Sequence, residues 1–469
     1  MTSEAIWLEF ARIRMADLLV AHNFHLALDP NERATGKPYP PLGTLVAAAE
    51  LEARGVDLAV YDPTFAPDPD LFTAALDGHR PRKVALIMDP HAIPQKMCTT
   101  GMRAAAVTMI TAAKARGASV LVAGPDVSDH PEHYAAADVA VVGEHDQPLV
   151  DWVDGKPLPA VVPRGPLRAD LAGLPQPAWD RVDMAMYAER WRARHGLWEV
   201  NVSTARGCPY RCNWCAKPTW GRSYRVRPVA EVVAEVQSLR ARHAPDRVWF
   251  TDDIFAIKPA WLEAYRAGMA GAPVPFRCLT RVDLVKNPAY VADLRAAGCV
   301  EVWLGAESGS DAVLNAMDKD ASVEEIRRAS GLLRDAGIRR GFFLQLGYPG
   351  ETAADVDRTI GMIRDLQPEE IGISVSYPLP GTVFHERMQH RLSATNWQAS
   401  MENRLLFDAD YPQAFYDAAR AVLRAEHALM QFRPELSRPG LRRAAGAAWH
   451  ASQWPVQRGR MRWHGRGRT

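Results

Sequence analysis

Two successive blocks of strand–helix alternation limit the architectures open to this chain. In the first block, apolar runs at 17–21, 57–61, 83–88, 119–123 and 138–142 alternate with amphipathic stretches at 42–54 and 103–116, the latter ending at the expected helix stop Gly117. Strands of continuous Val, Ile and Leu are buried on both faces, as in a parallel sheet covered by helices. The block predicts a doubly wound, Rossmann-like α/β domain over 1–155, with ligands beyond the carboxyl ends of its strands. Those ends carry 23–25, 62–63, 89–91, 124–126 and 143–145.

A Pro-rich stretch at 157–177 interrupts the pattern, so 156–195 reads as a linker. The second block follows, with strands expected at 199–204, 247–251, 275–279, 301–305, 341–346 and 369–376, and helices including 229–243 and 323–336. Six βα units predict a partial (β/α)6, TIM-like barrel over 196–390 whose chemistry lies on its C-terminal face. A helical segment, 391–432, comes next, and a basic tail, 433–469, need not fold.

A length of 469 residues suits two domains plus an appendage, and 48% hydrophobic residues match an ordinary globular protein. The net charge of +1 argues against a nucleic-acid partner. The sequence contains no apolar run of about twenty residues and no signal-type core near its start, so a cytoplasmic location is expected. Six cysteines in so long a chain do not make a disulfide scaffold. Cys98, Cys278 and Cys299 are scattered and read as small core residues.

The other three are clustered. RGCPYRCNWCAKP places Cys208, Cys212 and Cys215 on one loop just after the first strand of the second block. Thiolates in a short run can each hold one iron of a cubane cluster. Three ligands leave the fourth iron open to a substrate, as catalytic zinc keeps an open position. A structural zinc site would need a fourth Cys or His nearby, and His195, before the strand, is poorly placed.

This triplet resembles the signature of the radical S-adenosylmethionine (SAM) superfamily, and the resemblance extends over about 190 residues. Trp214 occupies the aromatic position that the family places against adenine. VWFTDDIF resembles the acidic stretch for the SAM amino group, which implies Asp252 and Asp253, although the usual form is Gly-Gly-Glu. RVDL implies that Arg281 meets the carboxylate, and VWLGAESGS implies that Glu307 and Ser308 touch ribose and methionine. FFLQLGYPGET resembles the turn after the fifth strand, here Gly347, Pro349, Gly350, Glu351 and Thr352. Taken singly, these segments read as a helix cap, a solvated loop acid and an ordinary turn. Their order behind the triplet favours the SAM reading.

The first block resembles the cobalamin-binding module fused to many radical SAM enzymes. Pro40, Pro41, Leu42 and Gly43 open its first long helix; Gly124–Pro125 and Gly143–Glu144 match the family's Gly-Gly-Pro and Gly-Glu-Gly-Glu, with Ala123 and His145 departing from it. Small residues at strand ends would let a large planar cofactor approach the backbone. Asp89-Pro90-His91 resembles the start of a cobalt-ligand motif but follows the third strand and lacks its Gly, so His91 reads as a loop residue. Many fused relatives have no protein ligand to cobalt.

The resemblance implies a [4Fe–4S] cluster, SAM and cobalamin. It further implies reductive SAM cleavage to a 5′-deoxyadenosyl radical, electrons from a flavodoxin or ferredoxin, and methylation of an unactivated carbon in a small-molecule substrate. Residues 403–429 also resemble the anaerobic magnesium-protoporphyrin monomethyl ester cyclase group, implying oxidative ring closure as the alternative. A cofactor-binding protein without turnover is a reading of another class. The tail from 433 holds nine Arg and one Glu with Trp449, Trp454 and Trp463. It reads as a solvated basic end, with an anionic membrane contact as the sharper alternative.

Overall fold

The computed structural model describes residues 16–215, 219–431 and 455–461. The chain divides into two compact units: Met1–Pro209 with Lys217–Asp252 and Asn396–Glu402, and Tyr210–Ala216 with Asp253–Thr395 and Asn403–Thr469.

In the first unit, strands β1 (Leu18–Ala21), β2 (Leu58–Tyr61), β3 (Lys83–Ile87), β4 (Ser119–Ala123), β5 (Val139–Val141) and β6 (Val161–Val162) form one sheet in the order β2-β1-β3-β4-β5-β6. Every pairing is parallel; Leu18 lies opposite both Leu58 and Lys83. Alternate strand residues face opposite sides. Leu19, Val84, Leu86, Val120 and Val122 pack under Phe72, Leu76, Met109 and Ile110. Leu18, Val20, Ala85, Ile87 and Leu121 pack under Ala47, Leu51, Leu149 and Trp152. Burial on both faces explains the unbroken apolar runs, each large aliphatic contributing about 1.5–3 kcal/mol. The strand order reverses between β1 and β3, the switch point where such sheets bind ligands.

The 156–195 segment is more structured than its prolines suggest. β6 pairs with β5, with Ala140 opposite Val161, an edge position where flanking prolines are tolerated. The helix Met184–His195 begins at an Asp183 cap, ends at left-handed Gly196, and buries Tyr187 and Trp191. Two residues of strand are too few to show a period, and the helix was hidden by its charged face. The first unit also holds the parallel pair β7 (Glu199–Val202) and β10 (Arg247–Phe250), and a short antiparallel ribbon, β8 (Ala205–Arg206) with β9 (Arg225–Val226).

In the second unit, β11 (Phe276–Thr280), β12 (Cys299–Glu307), β13 (Arg339–Leu346) and β14 (Glu370–Val375) pair in parallel in sequence order. Helices Pro288–Ala296, Val323–Asp335 and Ala353–Leu366 connect them, the last two opened by capping boxes, Ser322 with Glu325 and Thr352 with Asp355. The helix Gln413–Met430 buries Phe415, Tyr416, Val422 and Leu423, and its Glu426 pairs with Arg364. The fold is thus α/β with parallel sheets, six βα repeats in the second block and a helical C-terminal segment. Cys98, Cys278 and Cys299 are buried. Most of the 433–469 tail lies outside the described residues; 455–461 is helical, and Arg458 pairs with Asp357. Among the described residues, no helix is long and apolar enough to cross a membrane.

Candidate active site

In the first unit, the chain leaving β7 turns sharply toward the cysteine loop, and Asp252 holds that turn. Its carboxylate accepts the Thr204 and Ala205 N–H groups at 2.7 and 3.0 Å, the Ser203 hydroxyl at 3.1 Å, and the Thr204 hydroxyl. Burial raises its pKa to about 6 against the pull of these bonds. With its oxygens engaged by four donors of the chain, Asp252 braces the loop. Asp253, beside it in sequence and half-buried, opens the second unit's next stretch.

The ribbon that follows is tied by buried charge. Arg206 donates to both Asp146 oxygens at 2.9 Å, Arg225 donates to Glu144 at 2.5 Å, and the Arg168 N–H donates to Glu144 at 2.6 Å. Burial opposes ionisation of Asp146, but Arg206, His145 and Arg168 outweigh it and hold its pKa below the ordinary carboxylate value. Trp220 lies 4.4 Å from the Arg206 guanidinium and 5.4 Å from the His91 ring. Gly207 has φ +80°, and a Cβ there would stand 2.3 Å from the Ser223 carbonyl oxygen; only glycine lets the strands close. Cys208 follows, buried, its N–H pointing at the Gly221 oxygen at 3.4 Å.

The strand-end glycines also answer to the chain's own geometry. A Cβ on Gly124 (φ +137°) would meet the Met88 oxygen at 2.6 Å, and one on Gly143 would meet Arg164 at 3.1 Å. The positive φ of both residues (+90° at Gly143) and, at Gly124, the Met88 backbone favour glycine, and Glu144 is paired with Arg225. Gly43 N–H donates to Asp89 at 3.0 Å, as His91 N–H does at 2.8 Å. Asp89 thereby fills the amino end of the Leu42–Glu52 helix that an anion would otherwise use. Pro41 is the N-cap of that helix. Leu42, Val46, His91, Leu174, Ala205 and Arg206 line a small cavity. Burial drives His91 well below its ordinary pKa, leaving a neutral imidazole there at pH 7.

The second unit holds the rest of the loop. Asn213 anchors it: its backbone N–H donates to the Met317 oxygen, its amide donates to Ala316 O and Asp318 at 2.8 Å, and its side-chain oxygen accepts from Tyr348 at 2.8 Å. Cys212 is buried and Cys215 exposed. Arg281 donates from Nη1 to Cys212 Sγ at 3.4 Å. Glu307 closes β12 at φ +57°, after a register shift against β13. That conformation is costly for a residue with a side chain and persists where surroundings enforce it. Its carboxylate meets Lys319 Nζ at 2.8 Å, and Lys319 stands 5.3 Å from the Trp214 ring centroid. Glu307, Lys319 and Trp214 therefore form one half-shielded cluster.

The remaining motif residues make hydrogen bonds within the chain. Ser308, fully buried, accepts from Ser310 N–H at 3.2 Å and lies 3.3 Å from the Thr359 hydroxyl. Gly347 N–H donates to Glu351 at 2.6 Å, Gly350 N–H donates to Asp410 at 2.6 Å, and half-buried Pro349 sits between them. Burial pushes the Glu351 pKa up to about 8. Asn213, Lys319 and Arg206 escaped the sequence reading. Asn213 could have been suspected from its place between two cysteines, whereas Lys319, twelve residues past Glu307 in a turn, carries no local signal.

Residues 202–363 match the radical SAM superfamily. An uncharacterized methyltransferase of Pyrococcus horikoshii is 24% identical over 436 residues, covering 86% of this chain and 88% of that protein. The anaerobic magnesium-protoporphyrin IX monomethyl ester cyclase of Cereibacter sphaeroides is 29% identical over 198 residues, 41% of this chain, which spans only 32% of the cyclase. Among solved structures, the radical S-adenosylmethionine methyltransferase TsrM from Kitasatospora setae aligns with a TM-score of 0.64 at 19% identity, over 80% of this chain and 77% of TsrM; a second TsrM structure contains cobalamin and a [4Fe–4S] cluster. The cysteine loop and the Glu307 cluster lie inside the matched span, so the chain carries a radical SAM domain over residues 202–363.

Proposed function

We propose that the chain binds a [4Fe–4S] cluster through Cys208, Cys212 and Cys215, cleaves SAM there, and with cobalamin methylates an unactivated carbon of a small molecule. The observation that carries this reading is the triplet within the matched span, with a guanidinium directed at one of its sulfurs. The donor set fits such a cluster. Three soft thiols lie on one short loop, and Cys215 is open to solvent. When bound, the cluster supplies the single electron that breaks the SAM sulfur–C5′ bond, leaving methionine and a 5′-deoxyadenosyl radical.

The chain's own residues would bind and orient. Glu307 suits the ribose hydroxyls as an acceptor, Lys319 the carboxylate as a cation, and Trp214 the adenine as a flat apolar surface. Asp252 and Asn213 hold the loop. Cobalamin is assigned to the carboxyl edge of the first-unit sheet on its likeness to TsrM. Leu42 and neutral His91 beside a cavity there are compatible with that cofactor, while Gly124, Gly143 and Glu144 are already explained by internal packing. A flavodoxin- or ferredoxin-type donor would supply the electron.

Anaerobic purification with cobalamin supplied tests the reading. About four irons per chain, corrinoid absorption and deoxyadenosine on reduction with SAM are expected; a zinc-only protein would end it. The likeness to the cyclase favours a second reading, oxidative ring closure. Methyl-labelled SAM separates the two: label in the product supports methylation, and deoxyadenosine without label transfer supports cyclisation.

A further inference from the structure

Arg281 is fixed on three sides. Its Nε donates to Asp283 Oδ1 at 2.8 Å, its Nη2 donates to the Lys319 carbonyl at 2.6 Å, and its carbon Cζ lies 3.7 Å from the Tyr210 ring centroid. Tyr210 closes the arrangement by donating its hydroxyl to Asp283 Oδ2 at 2.6 Å. The residue is 8% exposed. Nη2 also reaches the Asp320 carbonyl at 3.5 Å, and Nη1 donates to Cys212 Sγ at 3.4 Å. A guanidinium committed in this way is a poor partner for an incoming carboxylate, which wants two parallel donors on one edge.

The geometry points to Arg281 as the residue that sets how readily a cluster ligated by Cys212 accepts its electron, an inference that rests on the cluster reading above. Gaining one electron from a one-electron reductant adds one negative charge to the cluster and breaks no bond. A fixed N–H donor and positive charge at a ligating sulfur favour the more negative state, and hydrogen bonds to sulfur are a recognised control on such potentials. Tyr210, two residues before Cys212, and Asp283, two after Arg281, hold the donor in register with the sulfur. The Lys319 carbonyl bond links the same guanidinium to the Glu307 cluster.

The test uses the full chain, anaerobically reconstituted, without SAM, as wild type, R281K and R281Q. Electron paramagnetic resonance at a series of poised potentials gives the ratio of reduced to oxidised cluster. At a fixed potential R281Q should show about a tenfold lower ratio than wild type, equal to about 59 mV for a one-electron couple, with R281K between them. Unchanged ratios in both variants, accompanied by weaker SAM binding, would overturn the inference and return Arg281 to the SAM carboxylate. Failure of both variants to load iron, while wild type does, would also overturn it in favour of a purely structural role. Absence of a cluster in wild type would instead remove the functional reading itself.

Discussion

Two groups of buried charge, one in each unit, differ in kind. In the first unit, Glu144, Asp146, Arg168, Arg206 and Arg225 form a network in which each charge has a partner within the unit. In the second, Glu307 and Lys319 form a single pair on a strained residue next to an aromatic face. A network of this sort fixes one conformation, because removing any member strands another charge away from water. A lone pair at a strained position can exchange partners when a ligand arrives with its own hydroxyls and carboxylate. The contrast separates residues that shape the cysteine loop from those left to engage a substrate.

Breaking the loop itself should give the largest effect. C212A is expected to lower iron from about four per chain to near zero and to abolish deoxyadenosine formation, both read on anaerobically reconstituted protein. D146N leaves the buried Arg206 without its nearest carboxylate, at a cost of about 3–5 kcal/mol. Denaturant unfolding should register that loss, with deoxyadenosine formed per folded, iron-loaded molecule unchanged. A fall in turnover at full stability would reverse the contrast. E307Q should do the opposite, weakening SAM binding about ten- to a hundredfold through loss of a charged hydrogen bond worth about 1.5–3 kcal/mol, with iron content and potential kept.

A further expected effect concerns pH. Glu351 has a folded pKa near 8 against an ordinary 4.5, because burial disfavours its charge. The folded chain then holds a proton that the unfolded chain has lost, so this group's contribution to stability declines as pH rises from about 4.5 to about 8. E351Q should flatten that part of the stability profile in unfolding experiments across the same range. An unchanged slope would mean that Glu351 is ionised in the fold and that its turn is less sealed than Gly347 implies.

Much of the architecture was legible because both-faces-buried strands announce themselves as apolar runs. The stretches at 119–123 and 229–243 coincide with β4 and with the helix Val229–His243. β12 runs from Cys299 to Glu307, longer than its apolar centre, because its last residues are held by a register shift and a left-handed turn that leave no hydropathy trace. β6, β8 and β9 have two residues each, below any detectable period. At the site, the cysteines stood out by spacing and type, and Glu307 by the resemblance of its segment to a known motif. The work done by Asp252, Glu144 and Arg281 did not, since a charged residue in a motif looks the same whether it faces a ligand or its own chain.

The order of residues alone determined that the chain alternates strand and helix twice and that three thiols fall on one loop after a strand, since both follow from local spacing. Tertiary structure decided which acids and bases spend their hydrogen bonds within the fold. Asp252, Asp146 and Arg225 are satisfied by partners tens of residues away, and pairings at that separation depend on how the sheets bring distant loops together.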